Sequence, residues 1–234
     1  MIIWLASGNK HKQQELAAVL RNHTIKLPAE AGISGFEPEE TGTSFAENAL
    51  IKARALHSLL DAAGKENPVL ADDSGLCVDA LDGRPGIYSA RYHGKDSWNS
   101  DGSFRDELNA SAKLTDKERN LLLLEELENV LSNAEFLKKT PASSYPAKGK
   151  IRKCRFVCAM VLLFNPDHFY LVQETMEGEI VSSAGQIRGH GGFGYDPIVY
   201  LPEFDKTVAE LSEKEKNNLS HRGKAGRAIA QLLH

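Results

Sequence analysis

The sequence predicts an α/β protein, because short apolar runs alternate with segments of helical periodicity. Residues 2–6 form a β-prone run, a Ser-Gly-Asn break follows, and residues 10–20 carry apolar side chains at helical spacing. Residues 155–164 predict a buried strand, and an Asn-Pro-Asp turn leads from it into residues 169–172, which predicts a hairpin. The chain therefore contains both strands and helices, which predicts an α/β protein.

Composition limits the classes of protein that fit. The 234 residues are 41% hydrophobic and 26% charged, which is ordinary for a globular protein with a sizeable core. A net charge of −4 argues against general nucleic-acid binding. No apolar run approaches 18 residues and no signal-peptide pattern is present, so we expect a cytoplasmic protein with no membrane contact. Cys77, Cys154 and Cys158 have no metal-binding spacing and are expected to be reduced core residues.

The first strand–turn–helix junction is a candidate anion site. Free backbone N–H groups and the positive end of the helix dipole meet there. Lys10 and Lys12 fall in the first helical turn, where the dipole disfavours cations and a phosphate would relieve the conflict. The alternative is that both lysines are simply solvated.

Residues 44–63 predict a second helix, which opens on a Ser44–Glu47 capping box. Lys52 lies beside its apolar stripe, so its ammonium group either reaches out to solvent or points into a cleft. Glu39 and Glu40 precede this helix and are candidates to join Asp72 and Asp73 around a metal ion.

Residues 69–91 hold the central feature of the chain. An apolar run reaches Asp72 and Asp73, and Ser74 and Gly75 are expected to turn the chain there. Two carboxylates at a strand end suit a hard cation such as Mg²⁺, whereas the alternative is a solvated turn. Residues 86–91 are interpreted as a continuation of the same strand.

The middle of the chain is less informative. Residues 92–103 predict a surface loop, residues 104–114 a short helix, and residues 115–131 a helix with a capping box. Residues 138–150 carry prolines and lysines and are interpreted as an exposed loop. Residues 176–180 are expected to contain a turn.

Two further segments carry binding chemistry. Residues 189–197 formally match GxGxxG, but no helix opens on the motif, so we reject a dinucleotide site. Phe193 and Tyr195 there offer aromatic faces for a base, or they pack inward in a structural loop. His221 and Arg222 open the last helix, where cations are disfavoured unless an anion or acceptor is near; the alternative is solvated surface.

Six segments in fixed order make the chain resemble the inosine/xanthosine triphosphate pyrophosphatase family, also called the Ham1 family. Together they span nearly the whole chain. They are Ser7-Gly8-Asn9 with Lys12, residues 40–53, residues 70–76, residues 86–91, residues 192–197, and Lys216 with residues 220–222.

The resemblance implies a mixed elongated central sheet with flanking helices and two lobes around a nucleotide cleft. It implies one domain over residues 1–234, with residues 96–150 longer than is typical for the family. It also implies a homodimer that hydrolyses ITP, dITP and XTP to the monophosphate and pyrophosphate, with Mg²⁺ or, as a substitute, Mn²⁺.

The resemblance further implies a role for each matching residue. Asp73 would activate water, and Glu40 and Asp73 would hold the metal ion with Asp72 beside them. The substrate-binding residues would be Ser7, Gly8, Asn9, Lys10, His11, Lys12, Lys52, Ser74, Phe193, Gly194, Tyr195, Asp196, Lys216, His221 and Arg222.

Two other classes of function remain open on the sequence. The chain could be a nucleotide-binding regulatory module without turnover, although such a module has less need of two adjacent carboxylates. It could instead bind nucleic acid through residues 138–153, which the net charge of −4 disfavours.

Overall fold

The computed structural model describes residues 1–105, 114–132, 152–189, 192 and 194–233. The α-helices are α1 (Lys10–Val19), α2 (Phe45–Leu59), α3 (Ala62–Lys65), α4 (Asp116–Leu131), α5 (Glu213–Leu219) and α6 (His221–Ala230). The strands are β1 (Ile2–Leu5), β2 (Thr24–Lys26), β3 (Val69–Val78), β4 (Lys153–Asn165), β5 (His168–Ile180), β6 (Val199–Leu201) and β7 (Lys206–Thr207).

The described strands form one mixed sheet of seven, in the order β2-β1-β3-β4-β5-β6-β7. β1 runs parallel to β2 and β3, whereas β6 runs antiparallel to β5 and β7. β4 and β5 are neighbours joined by two residues, which confirms the predicted hairpin. The predicted fold class, a mixed sheet with flanking helices, is confirmed.

Residues of β1 and β3 alternate between two apolar clusters, because successive side chains of a strand point to opposite faces. One cluster joins Ile3 and Leu70 to α1 and α6. The other joins Trp4 and Ala71 to the apolar stripe of α2, namely Ala49, Ala53, Leu56 and Leu60. β3 is therefore covered on both faces where it carries Asp72 and Asp73.

The chain divides into two compact units. One comprises Met1–Ser74, Val157–Met176 and Lys214–His234, and it contains both apolar clusters. The other comprises Gly75–Phe156 and Glu177–Glu213. Inside the second unit Tyr92 is fully buried, and its hydroxyl donates to the Glu126 carboxylate. Tyr92 and Ser97 are both buried, so the expectation of a surface loop over residues 92–103 is wrong for these two positions.

The helix predicted over residues 44–63 is two helices. α2 ends at Leu59, and Asp61 opens α3 by accepting a hydrogen bond from the Gly64 N–H at 2.7 Å. The Ser44 hydroxyl accepts from the Glu47 N–H as predicted, at 3.2 Å. The Glu47 carboxylate, however, accepts from the Thr43 N–H at 2.6 Å, so the capping box is shifted by one residue at this end.

Three local predictions are wrong. β3 continues through Ser74 and Gly75 instead of turning, because pairing with its neighbour β4 overrides the turn propensity of these residues. Gly86–Arg91 is a 3₁₀ helix and not a strand continuation. The turn expected at residues 176–180 belongs to β5, where a side chain at Gly178 would press on Val199 of β6, so the glycine serves close strand approach.

Other local predictions stand. α4 begins after Thr115, whose hydroxyl and the Glu118 carboxylate form the complete capping box, and it ends at Leu131. Cys154 and Cys158 are buried, and burial raises the pKa of the Cys158 thiol to about 12. The helix expected at residues 104–114 and the loop expected at 138–150 lie largely or wholly outside the described residues. Among the described helices, none has the length and apolar character to cross a bilayer.

Candidate functional site

Asp72 and Asp73 occupy adjacent positions on β3 and have different partners. Asp72 lies on the face covered by α1 and α6, and Asp73 on the face covered by α2, as strand alternation requires. Both carboxylates are buried, with 2% and 7% of the residue exposed. The sequence predicted one shared acidic site, but the structure distributes the two acids between two ion clusters.

The first cluster surrounds Asp72. Lys12 Nζ lies 2.9 Å from Oδ1, and Arg222 Nε lies 3.1 Å from Oδ2. The Ser74 hydroxyl donates to Oδ2 at 3.3 Å and accepts from Arg222 Nη2 at 2.9 Å. Both carboxylate oxygens of Asp72 thus contact a cation or a hydroxyl group. The partners of Asp72 therefore differ from those of Asp73.

Glu15 extends this cluster on the other side of Arg222. Its carboxylate accepts from Arg222 Nη1, and its second oxygen lies 3.7 Å from Lys216 Nζ. Burial opposes ionisation of Asp72, but Lys12 and Arg222 outweigh it and hold the pKa of Asp72 far below its usual range. The cluster is therefore an internally paired network of two carboxylates, two lysines and an arginine.

The second cluster surrounds Asp73. Lys52 Nζ lies 2.8 Å from Asp73 Oδ1 and 3.3 Å from Glu40 Oε1, and Asn48 Nδ2 lies 3.4 Å from Asp73 Oδ2. The question left open for Lys52 is settled: only 8% of the residue is exposed, so its ammonium group does not reach out to solvent. Instead the ammonium group forms ion pairs with the Asp73 and Glu40 carboxylates.

The electrostatics of this second cluster favour proton uptake at Asp73. Burial raises the pKa of Asp73 above that of a free aspartate, although Lys52 opposes the rise. Burial also lowers the pKa of Lys52, but attraction to Asp73, Asp72 and Glu40 outweighs it, and the net shift is upward. A carboxylate with a raised pKa beside a permanent cation is a better base than a free aspartate.

The turn before α1 is organised by Asn9. Its side-chain oxygen accepts from the N–H groups of His11 at 2.8 Å and Lys12 at 3.3 Å, and its own N–H donates to the Ser7 hydroxyl. These two N–H groups were expected to be free to bind an anion, but the Asn9 side chain accepts both of them as the N-cap of α1. Lys12, predicted to neutralise a phosphate, pairs with Asp72, while Lys10 is exposed and Gly8 adjoins open space.

His221 and Arg222 are buried, so the alternative of a solvated surface pair is wrong. Ser220 caps α6 by accepting from the Gly223 N–H at 3.0 Å, and this places His221 and Arg222 in the first turn. Burial and the neighbouring Arg222 charge hold the pKa of His221 well below 6.5. His221 is therefore neutral at physiological pH.

The glycine-rich segment, residues 189–197, lies in the second compact unit. Phe193 lies outside the described residues. The Tyr195 ring is buried, and its hydroxyl donates to the Ser89 carbonyl at 2.9 Å, so this aromatic side chain packs inward. Asp196 is also buried, and Gly194 is hydrogen-bonded through its backbone to α4.

Two members of the clusters, Glu15 and Asn48, were not predicted from the sequence. Glu15 follows Lys12 by three positions and Asn48 precedes Lys52 by four, so each shares a helix face with a residue that was identified. Helical spacing from Lys12 and Lys52 was therefore the sequence signal that could have identified Glu15 and Asn48.

The donor set is compatible with a hard cation at one of the two clusters. Glu40 and Asp73 both lie within 3.3 Å of the same Lys52 nitrogen, so a pair of carboxylates already converges on one point. Mg²⁺ is commonly held by one or two carboxylates together with substrate phosphates. Within the described ranges, no three His, Cys, Asp or Glu side chains converge, so protein ligands alone do not form a complete cage.

The fold and the two clusters define an α/β protein whose strand β3 carries adjacent buried carboxylates, each paired with a lysine. The Ham1 family model matches residues 3–137 and 124–232. A dITP/XTP pyrophosphatase of Treponema denticola is 44% identical over 234 residues, covering 100% of this chain and 98% of the relative. One of Thermus thermophilus is 38% identical, covering 99% and 91%. The chain belongs to the Ham1 family.

Solved structures agree with this assignment. A HAM1 protein from Coxiella burnetii aligns with a TM-score of 0.73 and 34% identity, covering 100% of this chain and 98% of that one. The Ham1 protein of Staphylococcus aureus aligns with a TM-score of 0.71 and 33% identity, with the same coverage.

Proposed function

We propose that this chain is a nucleoside triphosphate pyrophosphatase that hydrolyses ITP, dITP and XTP to the monophosphate and pyrophosphate. Relatives that match it over nearly their whole length bear the name dITP/XTP pyrophosphatase. The observation that carries the proposal is the convergence of Asp73 and Glu40 on the buried Lys52. Removing such triphosphates would keep deaminated purines out of the nucleotide pool.

Asp73 is the proposed base. Water attacks the α-phosphorus, a new P–O bond forms to the water oxygen, and the bond to the β-phosphate oxygen breaks. The proton lost by water goes to Asp73, a buried carboxylate that Lys52 and Asn48 hold in place. Pyrophosphate leaves with the bonding electron pair, and nearby cations stabilise its charge.

Glu40 and Asp73 are the proposed ligands of a Mg²⁺ ion, for which Mn²⁺ could substitute, and Asp72 directly precedes Asp73 in the sequence. When bound, such an ion would neutralise phosphate charge and favour departure of pyrophosphate. Lys52 contributes a fixed positive charge at the same point. Asp72, engaged by Lys12 and Arg222, supports the local structure instead of acting as a free ligand.

The remaining family-matched residues form the proposed substrate contacts. The triphosphate would be bound by residues 7–12 with Lys52 and Ser74. The base would be bound and selected by residues 193–196 with Lys216, His221 and Arg222. A donor aimed at the 6-oxo group favours hypoxanthine and xanthine, because adenine would leave that donor unpaired at a cost of about 1–3 kcal/mol. Guanine shares the 6-oxo group, so its 2-amino group must be excluded separately.

A substrate panel tests this function. The protein is incubated with dITP, XTP, dATP and dGTP in the presence of Mg²⁺, and pyrophosphate and orthophosphate are measured separately. We expect pyrophosphate from dITP and XTP and little product from the other two. Orthophosphate as the product would overturn the reaction, and equal rates on all four would overturn the selectivity.

A nucleotide is the only partner that the proposed reaction requires. The resemblance to the family adds a homodimer. The net charge of −4, the lack of long apolar runs and the cysteine pattern of the sequence support a cytoplasmic protein with neither nucleic acid nor membrane as a partner. Light scattering coupled to size-exclusion chromatography measures the assembly directly: a mass twice that of the 25.7 kDa chain supports the dimer, and a monomer mass contradicts it.

A further inference from the structure

Gly194 is held through both of its backbone polar groups by helix α4. Its N–H donates to Asp116 Oδ2 at 2.8 Å, and its carbonyl accepts from Asn120 Nδ2 at 3.1 Å. Asp116 and Asn120 are four residues apart and therefore lie on one face of the helix. All three residues belong to the same compact unit.

Lack of side-chain space does not explain the glycine at this position. Gly194 adopts a left-handed backbone with φ of +64°, and a side chain added there would meet no described atom within 4 Å. The two hydrogen bonds are thus the identified restraints on this peptide. Asn120 is itself buried, and burying an amide is costly unless it is hydrogen-bonded, so its bond to Gly194 stabilises the arrangement.

Arg119 connects Asp116 to the 3₁₀ helix Gly86–Arg91. Arg119 Nη2 lies 2.6 Å from Asp116 Oδ1, and Arg119 Nη1 donates to the Ala90 carbonyl at 3.1 Å. The Tyr195 hydroxyl donates to the carbonyl of Ser89, the residue before Ala90. The 3₁₀ helix Gly86–Arg91 and the Gly194 segment are therefore fixed both to α4 and to each other.

We propose that Asp116 and Asn120 are positioning residues that fix the Gly194 peptide and thereby set selectivity for the purine base. This inference rests on the proposed function, in which the segment containing Gly194 faces the base. Neither residue touches the reacting phosphates in this account. Their loss should therefore change base binding and discrimination far more than the chemical step.

The first turn of α4 offers a matched pair of variants. Asp116→Ala removes the acceptor of the Gly194 N–H. Glu118→Ala removes the reciprocal half of the Thr115 capping box in the same turn but has no bond to Gly194. Both variants weaken the helix start, and Asp116→Ala also removes the ion pair with Arg119. An effect on the Gly194 amide itself, confined to Asp116→Ala, is therefore the result that reports on the Gly194 contact.

Two measurements are made on these proteins. Amide hydrogen exchange at Gly194 should accelerate about tenfold or more in Asp116→Ala, and not in Glu118→Ala, because a charge-assisted hydrogen bond is lost. The KM for dITP should rise about tenfold and the preference for dITP over dGTP should fall, with kcat within about twofold of the wild type. Asp116→Asn, whose amide oxygen can still accept, should restore part of both effects.

Three results would overturn the inference. They are equal effects of Glu118→Ala and Asp116→Ala, an Asp116→Ala protein that keeps its KM and selectivity, or a kcat loss without a KM change. A wild-type protein that does not hydrolyse dITP would instead overturn the proposed function, and the two failures are therefore distinguishable.

Discussion

Asp73 combines three properties that its neighbour Asp72 lacks. It faces α2, it shares Lys52 with Glu40, and burial raises its pKa above the usual value. Asp72, one residue earlier, has a pKa far below the usual range because of Lys12 and Arg222. The pKa values of these adjacent side chains are therefore shifted in opposite directions, which supports the proposal that Asp73 is the base.

Asp73→Asn should abolish hydrolysis while nucleotide binding remains. The amide keeps the shape of the carboxylate but cannot take a proton from water, so we expect a fall in kcat of about 10²–10⁴. Calorimetric binding of ITP to the variant provides the control. Full turnover by Asp73→Asn would remove this residue from the mechanism, and binding without turnover by the wild type would support a regulatory module.

His221 should make stability depend on pH. Its folded-state pKa is well below 6.5, chiefly through burial and then through Arg222, so below about pH 6.5 the unfolded state binds more protons than the folded state. The free energy of unfolding should therefore fall on acidification by up to about 1.4 kcal/mol per pH unit, down to the folded-state pKa.

Urea unfolding between pH 7.5 and 5 checks this expectation at about half-unit steps. His221→Gln should flatten the pH dependence in that range, whereas substituting the exposed His11 should leave it unchanged. An identical slope in wild type and His221→Gln would show that other groups cause the dependence.

At the scale of elements, β3 is tied to helices from both ends of the chain. Lys12 on α1 and Arg222 on α6 bind opposite oxygens of Asp72, and Arg222 lies 150 residues further along the chain than Asp72. The apolar residues of β1 and β3 pack between the same two helices. Burial and ion pairing therefore act together to hold the C-terminal helix against the strand.

Arg222→Met should be strongly destabilising. It leaves the Asp72 carboxylate buried with only part of its compensating charge, which typically costs about 3–5 kcal/mol. The control is Arg227→Met on the exposed side of the same helix, which removes two exposed hydrogen bonds to the carbonyls of Asn217 and Asn218 but leaves no buried charge unpaired, so a smaller loss is expected. Adding Asp72→Asn to Arg222→Met should recover part of the loss, and equal losses for the two arginines would contradict this account.

Local signals predicted some elements well and others badly. α4 was predicted with its bounds because its capping box and apolar periodicity act within a few residues. β3 was predicted to end at Asp72 and Asp73 because Asp, Ser and Gly favour turns, yet the strand is hydrogen-bonded to β4 and extends to Val78. Strand pairing is a long-range interaction, so turn propensity alone could not reveal it.

At the scale of the whole molecule, the order of the family motifs along the chain predicted the fold and the family, whereas single residues did not predict their own partners. Composition and periodicity predicted an α/β chain, and the structure confirms a mixed sheet of seven described strands. The partners within each cluster were not predictable from spacing: Lys12 was assigned to phosphate but pairs with Asp72. Charge pairs between distant segments depend on the folded arrangement, which helical and strand periods do not encode.

Isotope transfer from water tests the central claim most directly. The enzyme hydrolyses dITP with Mg²⁺ in ¹⁸O-labelled water, and mass spectrometry locates the label in the products. Attack at the α-phosphorus predicts dIMP that carries one solvent oxygen, together with unlabelled pyrophosphate. Label in pyrophosphate, or formation of dIDP and labelled orthophosphate, would contradict it.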